Sequence, residues 1–404
     1  MTINLEPPRK LRPLVRQAHQ VAMNVLRPNS RSYDLLEHEY PKELDMLAAM
    51  VDGLSASGET SGAGASGVRR TASDGAEVRN GTNLASVLSV MEMCWGDVGL
   101  LLSMPRQGLG NSAIASVADD EQRARFEGVW ASMAITEPGC GSDSARITTT
   151  ATLDGDDYVI NGEKIFVTAG ERSDAVVVWA TLDKTKGRAA IKSFVVPKST
   201  PGLSVERLES KLGIRSSDTA TLRFEDCRVP KENLLGSPDV DDSGRGFAGA
   251  MATFDNTRPV VAAMAVGCAR ASLELTRELL QEAGVDIDYD RPCLAQSAAA
   301  ATYLQLEADW EAAYLLTLRA AWMADNGKPN SLEASMAKAK AGRMGSQVTL
   351  RCVELAGSLG YSEHELLEKW ARDSKILDIF EGTQQIQQLI VARRLLDKTS
   401  AELK

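Results

Sequence analysis

Four segments of this sequence combine residue types that chemistry can use. The first is Ala134-Ile-Thr-Glu-Pro-Gly-Cys-Gly-Ser-Asp143. Gly139 and Gly141 flank a short turn that would bring backbone N–H groups close to an anion, with the Thr136 and Ser142 hydroxyls at its rim. Such a nest suits a diphosphate or the polar edge of a flavin ring; on local composition alone, a plain tight turn entering a β region is the favoured reading. Phe166 and Thr168 follow, an aromatic beside a hydroxyl, able to stack on a planar group and bond to it, or simply to fill a core. The third segment is Phe254-Asp-Asn-Thr-Arg-Pro259. Asp255 there can cap a helix with Pro259 in its first turn, while Arg258 could face an anionic or amide-rich ligand. The fourth is Ile379-Phe-Glu-Gly-Thr-Gln-Gln-Ile-Gln387. Glu381 lies between an apolar run and a glycine, where burial would raise its pKa and let it act as a base near neutrality; an ordinary capping glutamate is the plainer reading. Gly382 permits close backbone approach, and Thr383 and Gln385 open the next helix.

The elements that must position these residues follow from periodicity. From about Lys10 to Trp130 the apolar spacing is helical: Leu11, Leu14, Val15, Ala18, Ala22, Val25 and Leu26 would share one face, and Leu84, Val87, Met91 and Cys94 mark another helix. Between them, Asp52 to Asn83 is rich in Gly, Ser, Ala and Thr and reads as a linker. From about Ala131 to Gly236 the pattern changes to strands at 148–153, 158–160, 165–168, 175–182, 191–196 and 219–224, with Asn161-Gly162 predicting a hairpin. A small antiparallel barrel or sandwich is the expected form. From Phe247 onward Ala/Leu/Glu-rich stretches predict a bundle of about four helices. The expected division is 1–131, 132–241 and 242–404, an α+β chain in the order helical, β, helical.

Composition removes several function classes. The formal charge of -10 opposes nonspecific nucleic-acid binding. Six scattered cysteines without a CxxC pair predict reduced, mostly buried thiols of a cytoplasmic protein, with no metal site. Three histidines, His19, His38 and His364, leave few candidates for His-based chemistry and are expected at the surface. No membrane span is expected, and the first residues do not read as a signal peptide.

Taken in order, the four segments closely resemble the acyl-CoA dehydrogenase family over nearly the whole chain. Lys211-Leu-Gly-Ile-Arg-Ser-Ser-Asp-Thr219, Phe224-Glu-Asp-Cys-Arg-Val-Pro-Lys-Glu-Asn233 and Arg372-Asp-Ser-Lys-Ile-Leu-Asp-Ile-Phe380 are similar to further family signatures. The resemblance implies an FAD-dependent flavoprotein of fatty-acid β-oxidation that introduces an α,β double bond into an acyl-CoA. Glu381 would be the α-proton base, with hydride passing to flavin N5. Thr136, Gly141, Ser142, Phe166, Thr168, Thr383 and Gln385 would bind FAD; Ser142, Asp255, Arg258, Phe380 and Gly382 would contact substrate. Some members place the base at the position matching Thr257, where threonine cannot serve. An electron-transfer flavoprotein would accept the electrons, and a tetramer is implied.

Two stretches depart from the family pattern. The Arg-x-x-Phe-Gly element, which in typical members reaches a neighbour's FAD, is replaced by Gln281-Glu-Ala-Gly-Val-Asp-Ile-Asp-Tyr-Asp-Arg-Pro292. The expected Gln and paired Gly near 354–358 are also changed. A hetero-oligomer with a paralogous subunit therefore stands beside the homotetramer. The rival functions are an acyl-CoA oxidase or nitroalkane oxidase on the same fold, and a redox-silent subunit. Glu381 opposes the nitroalkane reading, whose base is typically an aspartate.

Overall fold

The computed structural model describes residues 8–48, 81–105, 109–240 and 245–399, with Glu402; over 245–256 it describes the helical backbone alone. The linker expected over Asp52–Asn83 falls outside the described residues up to position 80.

Helices come first: α1 (Arg12–Val21), joined through a π turn at Ala22–Leu26 to α2 (Arg27–Leu35), then α3 (Thr82–Gly96), α4 (Val98–Leu102), α5 (Leu109–Val117) and α6 (Asp120–Arg125). Their ends are set locally. Asp119 and Gln122 form a capping box at α6, and the Asp97 carboxylate accepts from Leu100 N at 2.7 Å to start α4.

Among the described residues seven strands then form one sheet: β1 (Ala131–Ala134), β2 (Thr150–Asp154), β3 (Asp157–Thr168), β4 (Ala175–Thr181), β5 (Ile191–Pro197), β6 (Leu203–Leu208) and β7 (Thr219–Pro230). The order is β1-β4-β2-β3-β7-β6, with β5 also on β4. Every residue of β4 is buried, as its Val-rich run requires. Two strand expectations are corrected. β1 runs parallel to β4, in register Ala131↔Ala175, where antiparallel pairing was expected. Asn161-Gly162 is not a hairpin turn: β3 runs straight through it, and the hairpin falls instead at Gly155-Asp156, closed by the Asp154↔Asp157 pair. The dipeptide makes a bulge against β7. Gly162 has φ 154°, and a Cβ there would stand 2.4 Å from Thr149 Oγ1, so the glycine serves close packing inside a strand.

The chain returns to helix with α7 (Arg245–Glu282), α8 (Ala298–Asp325), α9 (Ser331–Ala356), the short α10 (Ser358–Tyr361) and α11 (Leu367–Ser374), and α12 (Gln384–Leu396). The four long helices are the expected bundle; α7 packs most extensively on α9 and also on α3. α7 starts ten residues before Asp255, so Asp255 lies within the helix and does not cap it, and Pro259 is a helix-interior proline. Thr257–Glu282 is long and apolar enough to cross a membrane by length and composition alone; most of it is buried inside the bundle, as in a core helix. The fold is the α+β arrangement expected, with a helical core spanning both helical regions and two clusters about the sheet.

Candidate active site

Glu381 occupies an unusual backbone position. It has φ 55° and Gly382 has φ 90°, two left-handed residues in succession between the turn Lys375–Asp378 and α12. For a residue with a Cβ this conformation costs roughly 1–2 kcal/mol, so the surroundings must hold it. Gln387 Nε2 donates to the Glu381 carbonyl at 3.1 Å and to the Gly382 carbonyl at 3.2 Å, and Lys338 Nζ donates to the Gly382 carbonyl at 2.7 Å. The Thr383 hydroxyl accepts from Ile386 N, capping α12 as its sequence predicts.

The carboxylate receives the Thr257 hydroxyl at 2.8 Å. Burial pushes the Glu381 carboxyl upward; the Thr257 bond and the Lys338 and Arg258 charges pull the other way without cancelling it. Burial in turn pushes Lys338 down to about 8, against the raising influence of Asp378 and Glu381. Thr257, Arg258 and Lys338 are all buried. The carboxyl therefore holds its proton to a higher pH than a free glutamate does, the direction of shift that the apolar run before it predicts.

A second group forms on the sheet. Ile165 N donates to the Thr136 carbonyl at 2.9 Å, which places Thr136 beside the Phe166–Thr168 end of β3. Phe166 sits in a bulge at φ 56° with 59% of its surface exposed. An aromatic ring held out by a left-handed backbone offers a stacking face that nothing in its own strand uses. Behind it, Glu137 is buried and fully bonded: Thr148 N and Oγ1 at 2.6 and 2.7 Å, Thr149 N and Oγ1 at 3.0 and 2.6 Å, and Lys164 Nζ at 2.8 Å. Burial alone would push this carboxyl upward, but Lys164 and the threonines overcome it and hold it at about 2.

The Glu137–Cys140 turn closes through two reciprocal backbone bonds of 3.1 Å, the tight turn that local composition favoured. Neither Gly139 nor Gly141 has positive φ, and a Cβ on either would meet nothing within 4 Å. The glycines therefore answer no internal need; they leave room for something outside. Open backbone, exposed Ser142 and Gly141, a half-buried Thr136 and an exposed ring fit a planar cofactor carrying phosphates.

Of the residues singled out from sequence, the structure brings Arg258, Glu381 and Gly382 together, and separately Thr136, Phe166 and Thr168. Phe380 is half-buried against the helical core and Gln385 is exposed in the first turn of α12. The Asp255 side chain lies outside the description. Sequence reasoning missed the roles of Thr257, Lys338, Gln387, Glu137 and Lys164. Lys338 left a signal: it shares a helix face with Ala334, Ala341 and Gly342, a small-residue stripe in which a lysine must be buried. His19, expected at the surface, is half-buried and bonded to Glu92 at 2.9 Å. The thiols agree with expectation: among the described residues five cysteines are buried and free, and Cys293 is exposed.

Residues 132–227 match the acyl-CoA dehydrogenase middle domain and 244–396 the acyl-CoA dehydrogenase C-terminal domain. The chain belongs to the acyl-CoA dehydrogenase family, a family of oxidoreductases. It is 34% identical over 324 residues to the short-chain specific acyl-CoA dehydrogenase of Clostridium acetobutylicum, covering 78% of this chain and 83% of that one. The mitochondrial short-chain specific acyl-CoA dehydrogenase of Mus musculus is 39% identical over 263 residues, which is 65% of this chain but only 62% of the mouse protein. The solved butyryl-CoA dehydrogenase of Megasphaera elsdenii superposes with a TM-score of 0.82 at 29% identity, covering 98% of this chain and 100% of that chain.

Proposed function

We propose that this chain is an FAD-dependent dehydrogenase that forms the α,β double bond of a short acyl-CoA thioester. One observation carries the reading: a half-buried glutamate with an upward-shifted pKa, fixed by a left-handed turn and bonded to a threonine hydroxyl. The short acyl chain is supported by the names of its relatives. Ionised Glu381 removes the α-proton, so turnover rises with pH through its raised folded pKa. The Glu381 backbone N–H is proposed to hold the thioester oxygen, and Ser142, Asp255, Arg258, Phe380 and Gly382 to line the substrate. Thr136, Gly141, Ser142, Phe166, Thr168, Thr383 and Gln385 would hold FAD. When bound, FAD supplies the acceptor for the β-hydrogen and its electron pair. The division at 1–131, 132–241 and 242–404, a cytoplasmic location and an electron-transfer flavoprotein as acceptor belong to the same proposal.

The test is anaerobic titration of the FAD-loaded protein with acyl-CoAs of increasing length, followed by visible absorption. Bleaching by butyryl-CoA supports the reading, and Glu381→Gln should abolish it. Rapid reoxidation of the bleached protein by oxygen would favour the oxidase. No bleaching with any acyl-CoA, at full flavin content, would make the chain a redox-silent subunit.

A hetero-oligomer is the second reading for assembly, beside a homotetramer. Within or within three residues of the two stretches that depart from the family pattern, Tyr289, Leu294, Leu359 and Tyr361 are exposed, Leu294 completely. A homotetramer retaining full FAD when purified alone would sink it.

A further inference from the structure

Lys338 is 1% exposed, and among the described residues its ammonium makes one hydrogen bond, to the Gly382 carbonyl at 2.7 Å. The other two fully buried lysines among the described residues behave differently. Lys164 lies on Glu137 at 2.8 Å, and Lys369 lies on Asp97 and Asp373 at 2.7 and 2.5 Å. A buried ammonium without a carboxylate in contact is unfavourable for stability, and a methionine would fill the same space. What lysine adds is a directed donor to one carbonyl and a positive charge.

Both additions converge on one turn. The Gly382 carbonyl takes Lys338 and Gln387, and the Glu381 carbonyl takes Gln387. The carbonyls of both left-handed residues are thereby pinned, one from α9 and both from α12, while Thr257 on α7 holds the carboxylate. Among the described residues, the charged or titratable groups around the pair are Arg258 from α7 and Asp378 from the preceding turn. We propose that Lys338 is a positioning residue for Glu381: its ammonium fixes the Glu381–Gly382 turn and sets a positive charge beside the carboxylate. This rests on Glu381 being the base.

Proton transfer can be read apart from oxidation. 3,3-Dimethylbutyryl-CoA has α-hydrogens but no β-hydrogen, so it cannot be dehydrogenated. In deuterium oxide the α C–H bond breaks, the proton passes to the Glu381 carboxylate, and a deuteron returns to carbon; no electrons leave. Exchange by the FAD-loaded protein would be followed by mass spectrometry from mildly acidic to alkaline pH. Lys338→Met should move the midpoint of the rising limb up by about one unit, slowing exchange about tenfold below it. Lys338→Gln, which keeps a donor without the charge, should show the same shift with better retention of thermal stability. Lys338→Arg should restore the midpoint and remove an alkaline inflection near pH 8, where Lys338 itself loses its proton. An unshifted midpoint in folded Lys338→Gln would overturn the proposal. Undiminished exchange by Glu381→Gln would instead overturn the base reading, whatever Lys338 does.

Discussion

At the scale of single residues, the properties that make Glu381 useful also make it costly to the fold. Its folded pKa is raised above the unfolded value, so between those two values the native state holds a proton that the unfolded chain has already released. Stability from this group is therefore greatest at low pH and falls as pH rises from the unfolded pKa through the folded one. Glu381→Gln removes that penalty and keeps an acceptor for Thr257. It should melt at a higher temperature than the parent at neutral pH while losing α-proton transfer; a melting point that drops instead would refute the account of the shift. Thr257→Val removes a bond that favours the ionised form. Hydrogen bonds to charged groups contribute about 1.5–3 kcal/mol, so the rising limb of the rate–pH profile should move up by about one to two units. Stopped-flow flavin reduction across pH checks this.

At the scale of elements, the Glu381–Gly382 turn and the start of α12 can be separated. Thr383→Ala deletes the cap and should lower stability by about 1 kcal/mol. Gly382→Ala meets two obstacles: φ is 90°, and the new Cβ would lie 2.4 Å from Gln387 Nε2. Gln387 must move and release both carbonyls, so the expected loss is larger, about 1–3 kcal/mol, with slower α-proton exchange as well. Urea unfolding of the two variants ranks them, and equal losses would show that the turn is not clamped. The turn was legible because Glu-Gly-Thr announces a helix start; its clamp was not, since Lys338 and Gln387 come from outside it.

Across the whole molecule, α11 ties the chain together just before the site. The Arg372 guanidinium grips Asp34 at 3.0 and 2.6 Å, Glu368 at 2.8 Å and the Leu212 carbonyl at 3.1 Å, so it joins α2 and the segment after β6 to the helix leading to Glu381. Lys369 bridges Asp97 and Asp373, and Asp373 also accepts from Ile214 N at 2.5 Å. Lys369→Met leaves two buried carboxylates without their cation and should destabilise by about 3–5 kcal/mol. Helical and sheet signals should then melt at separate temperatures, whereas one unchanged transition would deny the junction this role. The Glu137–Lys164 pair makes an acid-side prediction. Glu137 titrates at about 2, below its usual 4.5, so its contribution is present above the unfolded pKa and vanishes as pH falls through the folded one. Glu137→Gln should be clearly destabilised at neutral pH, and the gap to the parent should close as the solution is acidified.

The sequence by itself determined the order of helices, strands and helices, because periodicities of 3.6 and 2 are local properties of neighbouring side chains. It also singled out Glu381, whose apolar run and following glycine are adjacent in the chain, and it placed the start of α12. Where local cues misled, a distant partner or a longer element had overridden them. Asn161-Gly162 would turn a hairpin in isolation, but Thr149 and β7 use it as a bulge in a straight strand. Asp255 would cap a helix that began beside it, but the helix runs on from Arg245. Only the tertiary structure decided which groups surround Glu381. Thr257, Lys338 and Gln387 lie far from it or on another turn of helix, and a pKa depends on burial and on charges met in space, which chain order does not record.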